Sequence, residues 1–192
     1  AGTTEQPAPR RYFSLREPVF VEEGDSSIIV FPDQTLRISY MLSYDHPHLR
    51  PQLVSYARNG TSFEEAIAPA RTFCLKEEAE ALRIAGFGKG ATYDNTLVIG
   101  DEGVINNTLR FEDEFARHKI LDLLGDLFLL GAHLRARVIA IKSGHPLNVK
   151  LLMKLDQALE QWRLGSLQSE SSKIMVGPRL DIMQIQKILP HR

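Results

Sequence analysis

The sequence predicts an α+β fold, a two-layer sandwich in which a mainly antiparallel sheet packs on helices. Three observations predict it. Residues 11–57 alternate apolar and polar side chains in runs of strand length, broken by turn-forming clusters. Two long stretches, near 111–130 and 147–162, carry apolar residues at helical spacing. Strand-like and helix-like segments fall largely into separate runs, which favours segregated layers over a regularly alternating parallel α/β sheet.

The elements follow in order. Residues 1–10 (AGTTEQPAPR) are small, polar and proline-bearing, the composition of a tail or linker. From Arg11, "RYFSLREPVFVEEGDSSIIVFPDQTLRISYMLSY" holds three strand-like runs, and the clusters "EEGDSS" and "PDQ" punctuate them as hairpin turns would. "QLVSYA" is a further strand before Asn59-Gly60. Ser62 followed by Glu65 has the spacing of a capping box and is expected to open a short helix ending before Pro69. "LKEEAEALRIAGFG" reads as a second short helix with glycine at its end. "NTLVIG" and "GVIN" are short strands, and a long helix is expected from about Phe111 to Leu130. "RARVIAIKS" is a strand, "GHP" a loop, and "LNVKLLMKLDQALEQW" an amphipathic helix. From residue 163 to 178 the Ser, Gly and charge content is that of a linker, after which "DIMQIQKILPHR" resumes apolar periodicity. No internal repeat is present.

Composition narrows the function classes. The chain is 43% hydrophobic and 24% charged, which suits a globular core and argues against wholesale disorder. With 23 basic against 24 acidic residues, nothing favours nucleic acid as a partner. The single cysteine, Cys74, excludes an internal disulfide framework and fits a reducing compartment. No apolar run approaches the ~20 residues that span a bilayer, and no signal peptide opens the chain. The expectation is a cytoplasmic protein with no transmembrane segment.

The stretch "ARHKILDLLGDLF" holds His118, Asp122 and Asp126 at steps of four. Such steps drift only ~40° around a helix, so the three side chains share one narrow face among leucines. Carboxylates so placed are costly unless paired or bound to a cation. His118 and Asp122 can reach one metal ion from a single helix face. A local hydrogen bond or a helix-packing edge would use the same residues. His46, His48 and His133 are candidates for a third ligand, and spacing selects none of them.

"KSGHPLN" places His145 in a tight loop between a strand and a helix, where an acidic partner, for which Asp126 is a candidate, would keep it protonated. Lys119 and Lys142 could bind phosphate or a developing oxyanion, or could be simply solvated. The glycine-dense "GFGKGATYDN", with Lys89, departs from both common phosphate-loop patterns and reads as a turn or a close-approach surface. Cys74, in "ARTFCLK", reads as a small buried side chain. On residues alone, a non-catalytic α+β module binding an anionic ligand through Lys119, Lys142 and the glycine-rich loop stands as the alternative to a metal site. A scaffold whose helix stripe packs against another domain is a third reading.

"TLRFEDEFARHKILDLLGDLFLLG", "AIKSGHPLN", "ARTF" and "FSLREPVFVEEGD" together resemble the second domain of the UDP-3-O-acyl-N-acetylglucosamine deacetylases, the zinc amidases of lipid A biosynthesis. The resemblance covers roughly Arg10 to Gln161, and the second domain it implies is placed at 11–162. It implies that His118 and Asp122 are zinc ligands, that His145 stabilises an oxyanion and protonates the leaving amine, and that Asp126 orients that histidine. It further implies that Thr72 contacts the scissile carbonyl and Lys119 contacts substrate at the reacting centre. Tyr44, Phe73 and Lys142 would meet the UDP-linked acylated glucosamine, Tyr44 at uracil and Lys142 at the diphosphate. An inserted β-α-β unit, about 72–98, would form an acyl-chain passage lined by Leu75, Ala79, Gly88, Ala91, Thr92 and Thr96. The implied reaction is hydrolysis of the N-acetyl amide to the free amine and acetate.

The family's general base and third ligand belong to a "T-V-E-H"-like motif in a first domain, and these 192 residues carry no such motif. The chain alone is therefore expected to be inactive, with the first domain as its partner. "DIMQIQKILPHR" is similar to the opening of a 3-hydroxyacyl-carrier-protein dehydratase. That second resemblance implies a fusion protein whose dehydratase, truncated here at 179–192, would bring acyl carrier protein as a partner.

Overall fold

The computed structural model describes residues 12–58, 60 and 62–167. The expected tail at 1–10, the stretch 168–178 and the dehydratase-like segment 179–192 lie outside the described residues.

Five strands in the first half, β1 (Tyr12–Ser14), β2 (Val19–Glu23), β3 (Ser26–Pro32), β4 (Arg37–Leu42) and β5 (Gln52–Ala57), occupy the alternating region. Alternation puts every second residue on one face. In β4 that face is Ile38, Tyr40 and Leu42, all buried. β2 and β3 form the hairpin expected at "EEGDSS", with Gly24 supplying the positive φ of its turn.

The second expected hairpin does not form. A late strand, β9 (His133–Ile141), lies between β3 and β4, giving the order β2-β3-β9-β4-β5, with β1 also paired to β9. β9 runs antiparallel to β3 and parallel to β4 and β1, so the sheet is mixed at its centre and antiparallel towards both edges. The reason lies in the side chains of β9. Leu134, Ala136, Val138 and Ala140 are all buried and need neighbouring strands on both sides to pair their backbone.

Between the halves of this sheet the chain builds a second, three-stranded one. β6 (Thr72–Leu75), α2 (Lys76–Ile84) and β7 (Thr96–Gly100) form a β-α-β unit with the two strands parallel, and β8 (Gly103–Val104) pairs antiparallel to β7. α2 buries none of its residues. It ends in a Schellman arrangement: Gly86 has φ +82°, its N–H donates to the Arg83 carbonyl, and the Phe87 N–H donates to the Leu82 carbonyl.

α1 (Phe63–Ala66) starts at Ser62, but the capping box is not made. The Ser62 hydroxyl donates instead to Glu64, 2.7 Å away. α3 (Glu114–Phe128) is shorter than the sequence reading at both ends. It packs on β4 and β5 through Phe115, Ile120, Leu123 and Leu127, whereas Phe128 is 66% exposed and Leu121 half-buried. α4 (His145–Leu167) packs on β2, β3 and α3. Leu147, Leu151, Leu152 and Leu155 bury its inner face, each worth about 1.5–3 kcal/mol of apolar transfer. α4 continues through 163–167, where a linker was expected, and starts two residues earlier than its apolar pattern, so His145 is its first residue rather than a loop residue. Among the described residues no helix is long and apolar enough to cross a membrane.

Candidate functional site

A cleft of about 930 Å³ opens between the small sheet, the first half of α3 and the turn that leads into α4. Of the fifteen residues to which the resemblance assigns a role, fourteen line it: Tyr44, Thr72, Phe73, Leu75, Ala79, Gly88, Ala91, Thr92, Thr96, His118, Lys119, Asp122, Lys142 and His145. Asp126 stands behind the wall and reaches the cleft through His145. His46, His48 and His133 are not among its lining residues. His48 is held to the Asp101 carbonyl at 2.7 Å, and His133 packs on Tyr12 beside Arg58. Cys74 is half-buried and lines the cleft, so it is more open than the sequence reading had it.

The α-helical repeat brings His118 Nε2 within 3.2 Å of Asp122 Oδ1, both side chains less than one-fifth exposed. The Nδ1 of His118 lies 3.3 Å from the Ala70 carbonyl. A carbonyl can only accept, so Nδ1 is the donor of that contact. Burial pushes the His118 imidazole below its ordinary range, the Asp122 charge opposing it only in part. Nε2 and a carboxylate oxygen this close on one helix face are a pair of donors of the kind zinc takes. Among the described residues no three His, Cys, Asp or Glu side chains gather as a metal-binding group.

Three basic side chains share the cleft with these donors. Lys119 Nζ is 3.7 Å from Asp122 Oδ2, so it is not simply solvated, and it sits 5.8 Å above the centre of the Phe73 ring. His145 Nε2 is 4.0 Å from Asp122, while its Nδ1 donates to Asp126 Oδ2 at 2.9 Å. Asn148 Nδ2 donates to the same oxygen at 2.8 Å and locks the carboxylate. The hydrogen bond to Asp126 raises the His145 pKa above its ordinary value, outweighing burial. Lys142 is ion-paired with Asp25, and its backbone sits in the left-handed region at φ +54°, an unusual place for a residue with a long side chain.

An expected result follows for His145. Its imidazole should titrate above the ordinary histidine range, and Asp126→Asn should return it towards that range. A raised folded-state pKa means that the contact stabilises the fold fully below the unfolded value and loses that contribution as pH rises through the folded one. NMR titration of the ring protons would measure both; an unchanged midpoint in the variant would remove Asp126 as the cause.

Four features were not found from the sequence. Arg71 and Glu114 form a buried pair under the cleft floor, 8% and 0% exposed. Asn148 braces Asp126, and Asp25 holds Lys142. Ser143, in the cleft wall, has a buried hydroxyl with no hydrogen-bond partner among the described residues. "ARTF" contained the one usable signal for the first: an arginine inside an otherwise small and apolar run.

Two comparisons bear on this geometry. The family profile described as UDP-3-O-acyl N-acetylglycosamine deacetylase matches residues 1–157. Among curated proteins, the UDP-3-O-acyl-N-acetylglucosamine deacetylase of Syntrophotalea carbinolica is 37% identical over 180 residues, covering 92% of this chain and 58% of that protein. The enzyme of the same description from Geotalea uraniireducens is 39% identical over 179 residues, 93% of this chain and 58% of its own length. That from Anaeromyxobacter sp. is 40% identical over 156 residues, 81% and 51% respectively. The chain thus spans between half and three-fifths of the length of these relatives.

Proposed function

Because the chain belongs to the UDP-3-O-acyl N-acetylglycosamine deacetylase family, we propose that it supplies the second half of a zinc-dependent amidase. The proposed substrate is UDP-3-O-(3-hydroxyacyl)-N-acetylglucosamine, cleaved to the free amine and acetate in lipid A biosynthesis in the cytoplasm. The observation that carries the reading is the His118–Asp122 donor pair, facing a protonatable His145 across one cleft.

His118 Nε2 and Asp122 Oδ1 would hold the zinc, with Ala70 fixing the ring from behind. When bound, the metal would polarise the amide carbonyl and lower the pKa of its water. His145, oriented by Asp126, would offer a hydrogen bond to the developing oxyanion and a proton to the departing nitrogen from Nε2. Lys119 adds positive charge beside the same centre, and the Thr72 hydroxyl, at the mouth of β6, would contact the carbonyl. Lys142 would exchange its contact with Asp25 for a diphosphate oxygen. Leu75, Ala79, Gly88, Ala91, Thr92 and Thr96 would line the route of the acyl chain, and Tyr44 with Phe73, ring centres 5.8 Å apart, would offer an edge-to-face pair to the nucleotide end.

No "T-V-E-H"-like motif occurs in the 192 residues, so a general base and a third ligand would have to come from a first domain. The chain by itself is expected to show no turnover above background on the acylated UDP-sugar, and to gain it when that first domain is supplied. Zinc-dependent deacetylation by the isolated chain would sink this division of labour. Failure of both the chain and the complemented pair would favour the anion-binding alternative, in which only Lys119 and Lys142 matter. The resemblance of residues 181–192 to a dehydratase extends the proposal to a fused enzyme with acyl carrier protein as a further partner.

A further inference from the structure

We propose that Ser26 and Tyr40 are positioning residues of this site. Their hydroxyls pin two successive carbonyls in the turn between β9 and α4, and so set where Lys142 and His145 stand in the cleft. The proposal rests on the site reading above and adds to it two residues that act through the turn rather than on substrate.

The turn is Lys142, Ser143 and Gly144, and it carries the chain from the end of β9 into the first residue of α4. Ile141, the last residue of β9, is in register with Ser27 of β3 and Met41 of β4. Beyond it, three hydrogen bonds to those same strands hold the turn. The Lys142 N–H donates to the Met41 carbonyl at 2.9 Å. The Ser26 hydroxyl donates to the Lys142 carbonyl at 3.0 Å. Tyr40, 1% exposed, donates its hydroxyl to the Ser143 carbonyl.

Each contact belongs to a different peptide unit, and the three units are consecutive. A peptide unit is planar and stiff, so holding one of its atoms restrains the whole plane. The conformation at Lys142 is set by the planes on either side of its Cα, and both are held from outside the turn. It is left-handed, φ +54°, a conformation uncommon for a residue with a Cβ that persists where the surroundings over-determine it. Ser143's own hydroxyl has no partner among the described residues, so the residue is not held by its side chain. Next along, the Gly144 carbonyl accepts from the Asn148 N–H at 3.0 Å and opens α4. Asp25 pairs with the Lys142 ammonium, so Asp25 and Ser26, adjacent where β3 begins, take the two ends of one lysine. Ser26 therefore governs the plane that follows Lys142, and Tyr40 the plane that leads into the first turn of α4.

A merely structural pair of hydrogen bonds would move the melting temperature alone, and the two roles separate by experiment. The short amide-to-Hα separation of a positive φ gives a strong intraresidue NOE, expected at Lys142 in the unaltered chain. Ser26→Ala should weaken it as Lys142 gains access to negative φ, and Ser26→Thr, which keeps a hydroxyl, should restore it. Tyr40→Phe removes one oxygen and keeps the ring. It should quicken hydrogen exchange at the Asn148 amide and leave the Leu152 amide, one turn further into α4, protected. In the complete enzyme, Ser26→Ala should raise KM for the acylated UDP-sugar about tenfold with kcat nearly kept, the worth of one weakened charged contact to the diphosphate. Tyr40→Phe should instead lower kcat about ten- to a hundredfold with KM nearly kept, since a displacement of about 1 Å at a reacting group costs on the order of a hundredfold. Ser39→Ala, which breaks a hydroxyl pair with Ser55 at 2.9 Å elsewhere on β4, should change none of these.

A Ser26→Ala chain that keeps the Lys142 NOE would overturn the proposal. So would a Tyr40→Phe chain whose Asn148 amide is unmoved or quickens together with Leu152, or a fall in melting temperature with both kinetic constants unmoved. No turnover by the unaltered complete enzyme would sink the deacetylase reading instead. The NOE and exchange measurements, made on this chain, would still decide the roles of Ser26 and Tyr40.

Discussion

Alanine at position 114 is expected to lower the unfolding free energy of the chain by about 3–5 kcal/mol, the usual cost of stranding one member of a buried ion pair. That is a large fraction of the roughly 5–15 kcal/mol that holds a typical domain together. The Arg71 guanidinium, 7% exposed as a side chain, would keep only the Thr108 carbonyl, and the Arg71 and Arg110 backbone N–H groups would lose their acceptor. Urea unfolding of the two proteins would measure the difference. Arg37→Ala, which breaks a pair at 3.6 Å with the arginine more than half exposed, should cost less than about 1 kcal/mol. A similar small loss for Glu114→Ala would mean that the pair is not the clamp its geometry describes.

The pH dependence has a definite sign. Burial alone would raise the Glu114 carboxyl, but the hydrogen bonds from Arg71 and Arg110, with the Arg71 charge, outweigh it and hold the group below its ordinary value. A depressed folded-state pKa means that the stabilisation is complete above the unfolded carboxylate range and disappears as pH falls through the folded value. The alanine variant should therefore lose less stability on acidification than the parent does.

In the complete enzyme, His118→Ala or Asp122→Ala should each strip the zinc. The loss should exceed the ten- to hundredfold of an outer-shell change, because each removes a direct donor. Metal content after dialysis, read beside deacetylation rate, would show both quantities falling together. Lys119→Ala should leave the metal in place while slowing turnover, since its ammonium faces Asp122 without being able to donate a lone pair. Full zinc retention in both donor variants, with loss of binding only in the lysine variants, would return the site to an anion-binding module.

Local chemistry in this chain was legible where it depended on spacing along one element. The steps of four in α3 and the alternation of β2 to β5 each follow from a helix or strand period. Pairings across long separations were not legible. Nothing near "PDQ" says that β3 and β4 will be parted, because the strand that parts them lies about a hundred residues later. Nothing in the first turn of α3 marks Glu114 as different from its neighbours Glu112 and Asp113, since its partner Arg71 is 43 residues away. The family resemblance located the cleft residues because it carries tertiary information that periodicity lacks. It did not reach the residues that brace them, Asn148 and Arg71, whose work is done behind the wall.

The place of β9 also has a consequence for how the molecule assembles. Ser26 and Lys142 meet across 116 residues of chain. During synthesis, β3 and β4 emerge long before the strand that must lie between them, and each presents an unpaired edge for that interval. Contacts of such sequence separation slow folding, and open strand edges invite association with other chains. The small sheet and α3 are made in the meantime and can order locally, so the central strand arrives last, as the bolt that closes a sheet already standing in two halves. A ribosome-bound chain halted before residue 133 should hold those halves apart and be sensitive to protease. Release of nine further residues, the length of β9, would convert it to the protected form.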